Sequence, residues 1–315
     1  MLQLLPMINL KKIKRYSIKS RRSLVNKGDF AQPPVKARSF ASFLSSLPDI
    51  LKAKDLQAVS ADIVSAHKKG KGVIFMCGAH VIKCGLNPVL IELINKKVIT
   101  CICLNGAGII HDFELAFQGK TSEDVAGNLK TGKFGMGKET ADFLNYAVKE
   151  GVGKGFGLGY AVANKIATSN LAHKDLSLLY NAYKNKIPVC VFVGIGTDII
   201  HQHPSFDAAS TAGGSLRDFH ILVEEICSLN KGGVVANFGS AVMLPEVFLK
   251  ALNLARNLGN QVKNFTSANF DMIYQYRAAQ NVVMRPTSSG GAGYYIIGHH
   301  EIMLPLLAQT IIEKI

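Results

Sequence analysis

Short apolar segments alternate with segments of helical spacing along most of the chain. Apolar runs predict buried strands over 73–77, 98–104, 188–193 and 234–238, with weaker strand-like pieces at 262–266 and 281–284. Helical spacing predicts helices over 42–64 (as two helices), 111–117, 138–149, 175–183, 215–229, 245–258 and 302–312. Asn87-Pro88 predicts another helix start, with Asn87 as the N-cap. This alternation is typical of an α/β fold with a Rossmann-like, doubly wound, mostly parallel sheet.

The first 40 residues differ from the rest. They show no sustained period and end in Gln32-Pro33-Pro34, so we expect a basic N-terminal arm over 1–40, followed by one α/β domain over 41–315. Residues 1–28 hold eight of the 36 basic side chains and none of the 22 acids, so the net charge of +14 falls to +6 beyond them. Without interleaved aromatic residues, this pattern predicts a solvated arm and no nucleic-acid partner.

Composition narrows the class of protein. With 48% hydrophobic and 18% charged residues, the chain is typical of a packed globular protein, and no apolar run approaches the ~20 residues of a membrane span. The six cysteines form no CxxC pair and lie mostly in apolar runs, which predicts reduced core residues of a cytoplasmic protein. The acid-free N-terminus also has the composition of an organelle transit peptide, so processing stays open, but it has no secretory-signal core.

Glycine-rich turns follow the four clearest strands. They are Cys77-Gly78-Ala79-His80, Asn105-Gly106-Ala107-Gly108, Gly194-Ile195-Gly196-Thr197-Asp198 and Phe238-Gly239-Ser240-Ala241. Ligands of open α/β sheets bind beyond the carboxyl ends of the strands, so these turns predict a nucleotide or dinucleotide site. The usual GxGxxG fingerprint is absent, because His111 replaces its third glycine after Gly106 and Leu158 interrupts the glycines of 151–159.

Histidines and acids accompany the turns. Six of the nine histidines lie in or beside these turns or near the C-terminus: His80, His111, His201, His203, His299 and His300. Imidazoles there are candidate acids, bases or ligands, and Lys83 is a candidate anion contact. Asn269-Phe270-Asp271 is a candidate polar clamp, and residues 286–293 form a predicted mobile loop or lid. No HExxH or GxSxG pattern occurs.

Several motifs together resemble the deoxyhypusine synthase family over roughly residues 70–312. The resemblance lies in Gly78 to Leu104 with Asn105–Gly108, the strand from Pro188 ending in Thr197-Asp198, Gly239-Ser240-Ala241, Phe270-Asp271 and Leu304-Pro305-Leu306-Leu307. It implies a Rossmann-like parallel sheet, a homotetramer, and NAD bound near Gly78, Asn105, Gly106, Ala107, Gly108, Asp198, Gly239, Ser240 and Asp271. In that family NAD transiently oxidises spermidine, and an aminobutyl group then passes through an enzyme lysine.

The chain departs from the family where that lysine belongs. It has no Trp, and residues 287–293 contain no Lys to match the family's Trp-Gly-Lys-like segment. His203 replaces an acid that the family uses against the polyamine, His111 replaces an acidic NAD contact, and Pro245 replaces a histidine. Because a polycationic amine needs carboxylates, the substrate is expected to be neutral or anionic.

Three hypotheses follow. The first is an NAD-dependent transferase or oxidoreductase acting on a small amine or related substrate, with His201, His203, His111 and Lys83 as catalytic residues. The second is a metal-dependent hydrolase that uses His111, His201, His203 and His299. The third is a non-catalytic nucleotide-binding module.

Overall fold

A computed structural model describes residues 8–315; the first seven residues of the predicted arm lie outside the described part. The chain divides into two compact units, with the boundary between Ala53 and Lys54. The first unit holds helix α1 and three single 3-10 turns (α1 Phe40–Ser45; turns Leu10–Lys12, Ile18–Ser20 and Lys27–Asp29). Two backbone hydrogen bonds join the segment before α1 to the segment after it: Gln32 N–H donates to the Ser46 carbonyl, and Asp49 N–H donates to the Asp29 carbonyl.

The second unit is built on a six-stranded, all-parallel sheet. Its strands are β1 Val73–Cys77, β2 Cys101–Asn105, β3 Val189–Phe192, β4 Val234–Phe238, β5 Phe265–Asp271 and β6 Gly291–Ile297. The strand order is β3-β2-β1-β4-β5-β6, which is the doubly wound order of dinucleotide-binding folds. The predicted Rossmann-like fold is confirmed, and the order reverses between β1 and β4.

Helices cover both faces of the sheet. They are α2 Leu51–Lys68, α3 Ala79–Lys83, α4 Asn87–Asn95, α5 Gly106–Gln118, α6 Val125–Leu129, α7 Lys138–Gly153, α8 Leu158–Thr168, α9 Leu178–Lys184, α10 Ala208–Cys227, α11 Met243–Asn257, α12 Tyr276–Ala278 and α13 His300–Ile312. Single 3-10 turns lie at Lys174–Leu176 and Ile199–Gln202. None of the helices within residues 8–315 has the length and apolarity needed to cross a membrane.

Alternate residues of each strand point to opposite faces of the sheet and so belong to two separate apolar cores. Phe75, Ile102 and Phe238 belong to the core that includes helices α5, α7 and α13, whereas Ile74 and Cys103 belong to the core against α10 and α11. A strand that is buried on both faces needs apolar residues at every position, which is why the strands are visible in the sequence as continuous runs.

Some predicted elements are wrong near the C-terminus. Residues 279–284, predicted to include a strand, form a π-helical turn that continues α12. The sixth strand is instead β6, whose first residues the sequence assigns to a mobile loop. Glycine is depleted in strands, so the stretch Gly290-Gly291-Ala292-Gly293 predicts a loop even though most of its backbone pairs with β5.

One predicted cap is also wrong. Leu86, not Asn87, is the N-cap of α4. The Asn87 amide turns inward and donates to Asp112 Oδ1 (3.1 Å) and to the Leu176 carbonyl (2.8 Å). An N-cap would need Asn87 Oδ1 as an acceptor, but the two bonds that its NH₂ group donates hold the side chain inward, and Oδ1 is buried without a partner among residues 8–315.

Candidate functional site

The turns after β1, β4 and β5 meet at the point where the strand order reverses. Gly78 N–H donates to the Phe238 carbonyl (2.8 Å), and Gly239 N–H donates to the Phe270 carbonyl (3.0 Å). Ser240 Oγ accepts from Leu244 N–H (3.2 Å) and so supports the start of α11. The predicted contacts Gly78, Gly239 and Ser240 therefore lie together at the carboxyl edge of the sheet, a region we call the crest. Dinucleotides bind at this place in this fold class.

A cavity of about 200 Å³ lies beside this crest, at the ends of β2 and β3. Its lining includes Lys83, Ala107, His111 and Asp198, four residues that the sequence had singled out. Opposite charges therefore share a small space, with Glu114 and Glu123 adding further carboxylates. A cavity below ~300 Å³ suits a small polar molecule or one end of a larger ligand.

The amino end of α5 forms one wall of the cavity. Asn105 is the N-cap, and its Oδ1 accepts from Gly108 N–H (3.1 Å). A side chain at Gly106 would place its Cβ 1.9 Å from Asp198 Oδ2, so only glycine allows the carboxylate to approach this closely. The helix terminus provides the positive end of the α5 dipole for that carboxylate.

Asp198 is nearly buried, and its carboxyl group titrates close to neutral pH. Burial raises the pKa of Asp198 to about 6, although hydrogen bonds from the Thr197 side chain and the Ala107 backbone oppose the rise. Asp198 Oδ2 is buried and has no hydrogen-bond partner among residues 8–315. An orphaned carboxylate oxygen at a cavity wall is a ready acceptor for a ligand hydroxyl or ammonium group.

His201 faces Asp198 across a short gap. His201 Nδ1 accepts from Gly196 N–H (3.1 Å) and Asp198 N–H (3.3 Å), which leaves the ring proton on Nε2. That nitrogen is buried, has no partner in the described part of the chain, and lies 3.8 Å from Asp198 Oδ2. A hydroxyl group set between the two could donate to the carboxylate and accept from the imidazole. Burial also lowers the pKa of His201, so its ring stays neutral.

His111 stands at one end of a hydrogen-bond relay. Thr121 Oγ1 donates to Glu114 Oε2 (2.5 Å) and lies 2.6 Å from His111 Nδ1. Since the hydroxyl has one proton, His111 Nδ1 must be the donor to Thr121, and Nε2 keeps a free lone pair. Burial raises the pKa of Glu114, but hydrogen bonds from His111, Thr121 and Thr140 outweigh it and hold that pKa below its usual value. The relay therefore ends in an ionised carboxylate.

His203 has a different environment. Its Nε2 lies 2.8 Å from the Gly135 carbonyl, to which it must donate, and it is not part of the cavity lining. His201 is not part of that lining either, but its Nε2 lies 3.8 Å from Oδ2 of Asp198, which is. The structure thus brings Lys83, His111 and Asp198 together and leaves His203 holding a loop.

A second polar group lies at the crest, around His300 at the start of α13. His300 is buried, its Nδ1 has no hydrogen-bond partner within residues 8–315, and its ring lies 6.3 Å from that of His80. Gly239, at φ +65°, leaves room for it, because a Cβ there would lie 2.6 Å from His300 Nε2. Asp271, the last residue of β5, is nearly buried and acts electrostatically on His300.

The histidines do not form a metal site in the described part of the chain. Within residues 8–315, the only group of three potential ligands with atoms within 4.8 Å of one another is Cys101, Cys103 and Cys190, all buried in the apolar core. The four histidines of the hydrolase hypothesis form no such group there, so the geometry does not favour that hypothesis: His111, His201, His203 and His299. All six cysteines are free thiols.

Several residues of the site have no role that the sequence alone predicts. Glu114 follows His111 by three residues on one helix, a spacing that puts both on the same face and could have revealed the pair. Thr121 gave no such signal, because only the fold of the loop after α5 brings its hydroxyl back to the helix. His300 was noted as one of several histidines, but its burial beside Gly239 could not be foreseen.

Comparison with known proteins supports the fold alone. No protein-family model matches the sequence, and no curated protein matches it. Among solved structures, a conserved LOR/SDH protein from Methanococcus maripaludis S2 matches with a TM-score of 0.51 and 17% identity, over 84% of this chain and 71% of that one. A candidate deoxyhypusine synthase from Entamoeba histolytica matches with a TM-score of 0.51 and 11% identity, over 88% and 94%.

AgrE, crystallised with ornithine and NAD⁺, matches with a TM-score of 0.50 and 14% identity over 82% of this chain. This chain spans about a third (33%) of the length of AgrE. At these identities the likenesses show a shared fold, so the relationship to deoxyhypusine synthases holds at the level of the fold.

Proposed function

We propose that the protein is an NAD-dependent enzyme that oxidises a small amino- or hydroxyl-bearing substrate in the cavity formed by Lys83, His111 and Asp198. The observation that carries the proposal is the buried pair of Asp198 Oδ2 and His201 Nε2, which face each other at 3.8 Å with no partner among residues 8–315. Each of these atoms needs a hydrogen bond, and a ligand hydroxyl satisfies both.

The residues at the crest fit a dinucleotide. Unpartnered buried atoms occur on Asp198, His201 and His300, all beyond the carboxyl ends of the strands. The order reversal between β1 and β4 provides the crevice. Gly78, Asn105, Gly239 and Asp271 lie at or directly after the carboxyl ends of β1, β2, β4 and β5. When bound, NAD would accept a hydride from the substrate carbon.

His111 suits the role of general base. Its Nε2 lone pair is free because Nδ1 donates into the relay through Thr121 to Glu114. As His111 takes a proton from the substrate, the ionised Glu114 stabilises the imidazolium through the hydroxyl between them. Lys83 holds an anionic group of the substrate or cofactor, and Asp198 accepts a hydrogen bond from a hydroxyl group of the cofactor.

The structural neighbours agree with this class of chemistry. AgrE was crystallised with ornithine and NAD⁺, an amino acid and the proposed cofactor. The mixture of Lys83 with carboxylates in one cavity suits a substrate that has both an ammonium and an anionic group. Those carboxylates are Glu114, Glu123 and Asp198.

Calorimetry with NAD⁺ tests the cofactor, and an absorbance assay at 340 nm with a panel of amines, amino acids and hydroxy acids tests the reaction. We expect micromolar NAD⁺ binding that weakens at least tenfold in Asp198→Ala, whereas Asp142→Ala on α7 serves as a control. We also expect NADH production that falls about 100-fold in His111→Gln while NAD⁺ affinity is kept. Absence of NAD⁺ binding refutes the proposal. Binding without turnover across the panel favours the non-catalytic module.

A further inference from the structure

A second, larger cavity lies at the opposite end of strand β3. It has a volume of about 800 Å³ and is lined where β3 begins, at Pro188 and Val189. The candidate functional site lies beyond the other end of the same strand, which itself spans about 10 Å at about 3.3 Å per residue step. Its size falls within the range of ~300–1,000 Å³ that is typical of small-molecule sites.

The walls of this cavity are aromatic and aliphatic. Phe156 and Tyr160 meet edge to face with ring centroids 4.8 Å apart, and Tyr183 lies 5.6 Å from Tyr160. Ile187 and Ile221 complete the apolar lining. Phe156 lies in the turn before α8, Tyr160 at the start of α8 and Tyr183 at the end of α9. The three rings offer a surface on which a flat or extended apolar body can pack.

Every charged side chain in the described lining is a cation. Lys184 and Lys186 are exposed at the rim, and Arg217 of α10 lies half-buried, where it donates to the Phe156 carbonyl (2.8 Å). No Asp or Glu of residues 8–315 is part of the lining. Arg217 interacts electrostatically with Asp218, which lies outside the lining, and no carboxylate lines the cavity beside Lys184 or Lys186. Positive charges beside an apolar pocket favour an anionic head group on an apolar ligand.

We propose that this cavity is a second ligand site, which binds a small amphipathic carboxylate with an aryl or alkyl body. The apolar body packs against Phe156, Tyr160 and Tyr183. The carboxylate pairs with one of the three cations that line the cavity. The site is separate from the candidate functional site, and its ligand does not depend on NAD.

The absence of tryptophan from the chain allows a clean test. Tyr160→Trp places a single fluorophore at the cavity, and the probe is 4-phenylbutyrate. We expect a saturable change in Trp emission with 4-phenylbutyrate, and at least tenfold weaker binding of 4-phenylbutylammonium, which has the same body with the opposite charge. The reporter control is Tyr146→Trp on α7, since Tyr146 is similarly exposed (50% against 45%) and lies outside the cavity lining.

Charge reversal supplies the second arm. Lys184→Glu with Lys186→Glu, both at exposed positions, should weaken 4-phenylbutyrate binding at least tenfold while the helical circular dichroism is unchanged. Calorimetry of the unmodified protein with 4-phenylbutyrate checks that the reporter has not created the site. Equal responses from the two reporters, equal binding of the two probes, or no heat with the unmodified protein would overturn the proposal. So would a concentration-dependent dimer that the charge reversal dissociates, because the cavity would then be an interface between copies.

Discussion

Replacing Asp218 by Asn should make the protein more stable at pH 8 than at pH 5, relative to the unmodified chain. Asp218 of α10 is fully buried, and its Oδ2 accepts from Gly159 N–H and Val191 N–H, both at 2.8 Å. The first bond satisfies the amino end of α8, and the second satisfies the backbone of edge strand β3. Burial raises the pKa of Asp218 to about 7, even though these two bonds oppose the rise.

The sign and size follow from linkage. An unfolded Asp titrates near 3.9, so the folded protein binds the extra proton more tightly, and stability falls as pH rises from about 4 to 7. At about 1.36 kcal/mol for each pH unit, the raised pKa of Asp218 lowers the free energy of unfolding, relative to its value at low pH, by about 4 kcal/mol at pH 8 and about 1.5 kcal/mol at pH 5. Asn cannot ionise, and its Oδ1 can accept both backbone bonds.

The new amide NH₂ would take the place of Asp218 Oδ1, which is buried without a partner among residues 8–315. An unsatisfied donor there costs about 1–3 kcal/mol, but equally at both pH values. The pH-dependent part of the change therefore isolates the carboxyl, and we expect it to be about 2.5 kcal/mol in favour of Asn at the higher pH.

Urea unfolding followed by circular dichroism, at pH 5 and at pH 8, measures both free energies of unfolding. Glu139→Gln, at an exposed carboxyl in the first turn of α7, is the matched control and should change neither value by more than about 0.5 kcal/mol. If the effect of Asp218→Asn is the same at both pH values, the carboxyl does not titrate near neutrality and the reasoning is refuted.

Three further predictions concern the candidate site and its support. Gly106→Ala sets a methyl group against Asp198 and should weaken NAD⁺ binding at least tenfold in calorimetry, whereas unchanged affinity would show that Asp198 does not contact the cofactor. Thr121→Val breaks the relay and should lower kcat about 10- to 100-fold and shift its pH profile, with Thr121→Ser restoring both; a profile that does not move would exclude His111 as the base. Asp112→Ala removes the carboxylate that accepts from the first backbone N–H groups of α9 and should cost about 3 kcal/mol in urea unfolding, and a loss below about 1 kcal/mol would contradict that role.

The strands that could be predicted from the sequence are those whose apolar pattern matches their burial in the folded protein. Strands buried on both faces are apolar at every position, so β1 to β4 are visible as runs, and their glycine turns had to meet at one edge of a parallel sheet. That rule predicts that the turns share one edge of the sheet, but not which of their side chains meet; only the fold brings Lys83, His111 and Asp198 into one cavity. It failed for β6, where glycine and alanine begin an edge strand that needs no apolar side chains on its exposed positions.

Contacts across the chain were beyond the reach of the sequence. Asp218 meets Gly159 and Val191 across 59 and 27 residues, and nothing near it in the sequence marks it as a cap for another helix. The Thr121 hydroxyl likewise reaches His111 only because the loop after α5 returns it to that helix. Periodicity reports which face of an element is buried, but it does not report which backbone donors a buried acid will meet.

The resemblance to deoxyhypusine synthases implies an acid at the position of His203, where this chain makes a different contact. His203 Nε2 donates to the Gly135 carbonyl, so this position holds the loop before α7. A carboxylate there could not make that bond, since a carbonyl only accepts, and it would repel the oxygen. His203 therefore holds a loop where the resemblance implies a carboxylate for a cationic substrate. With Lys83 in the cavity as well, its remaining carboxylates have a positive charge beside them, which fits a substrate with one ammonium group and an anionic group better than a polyamine.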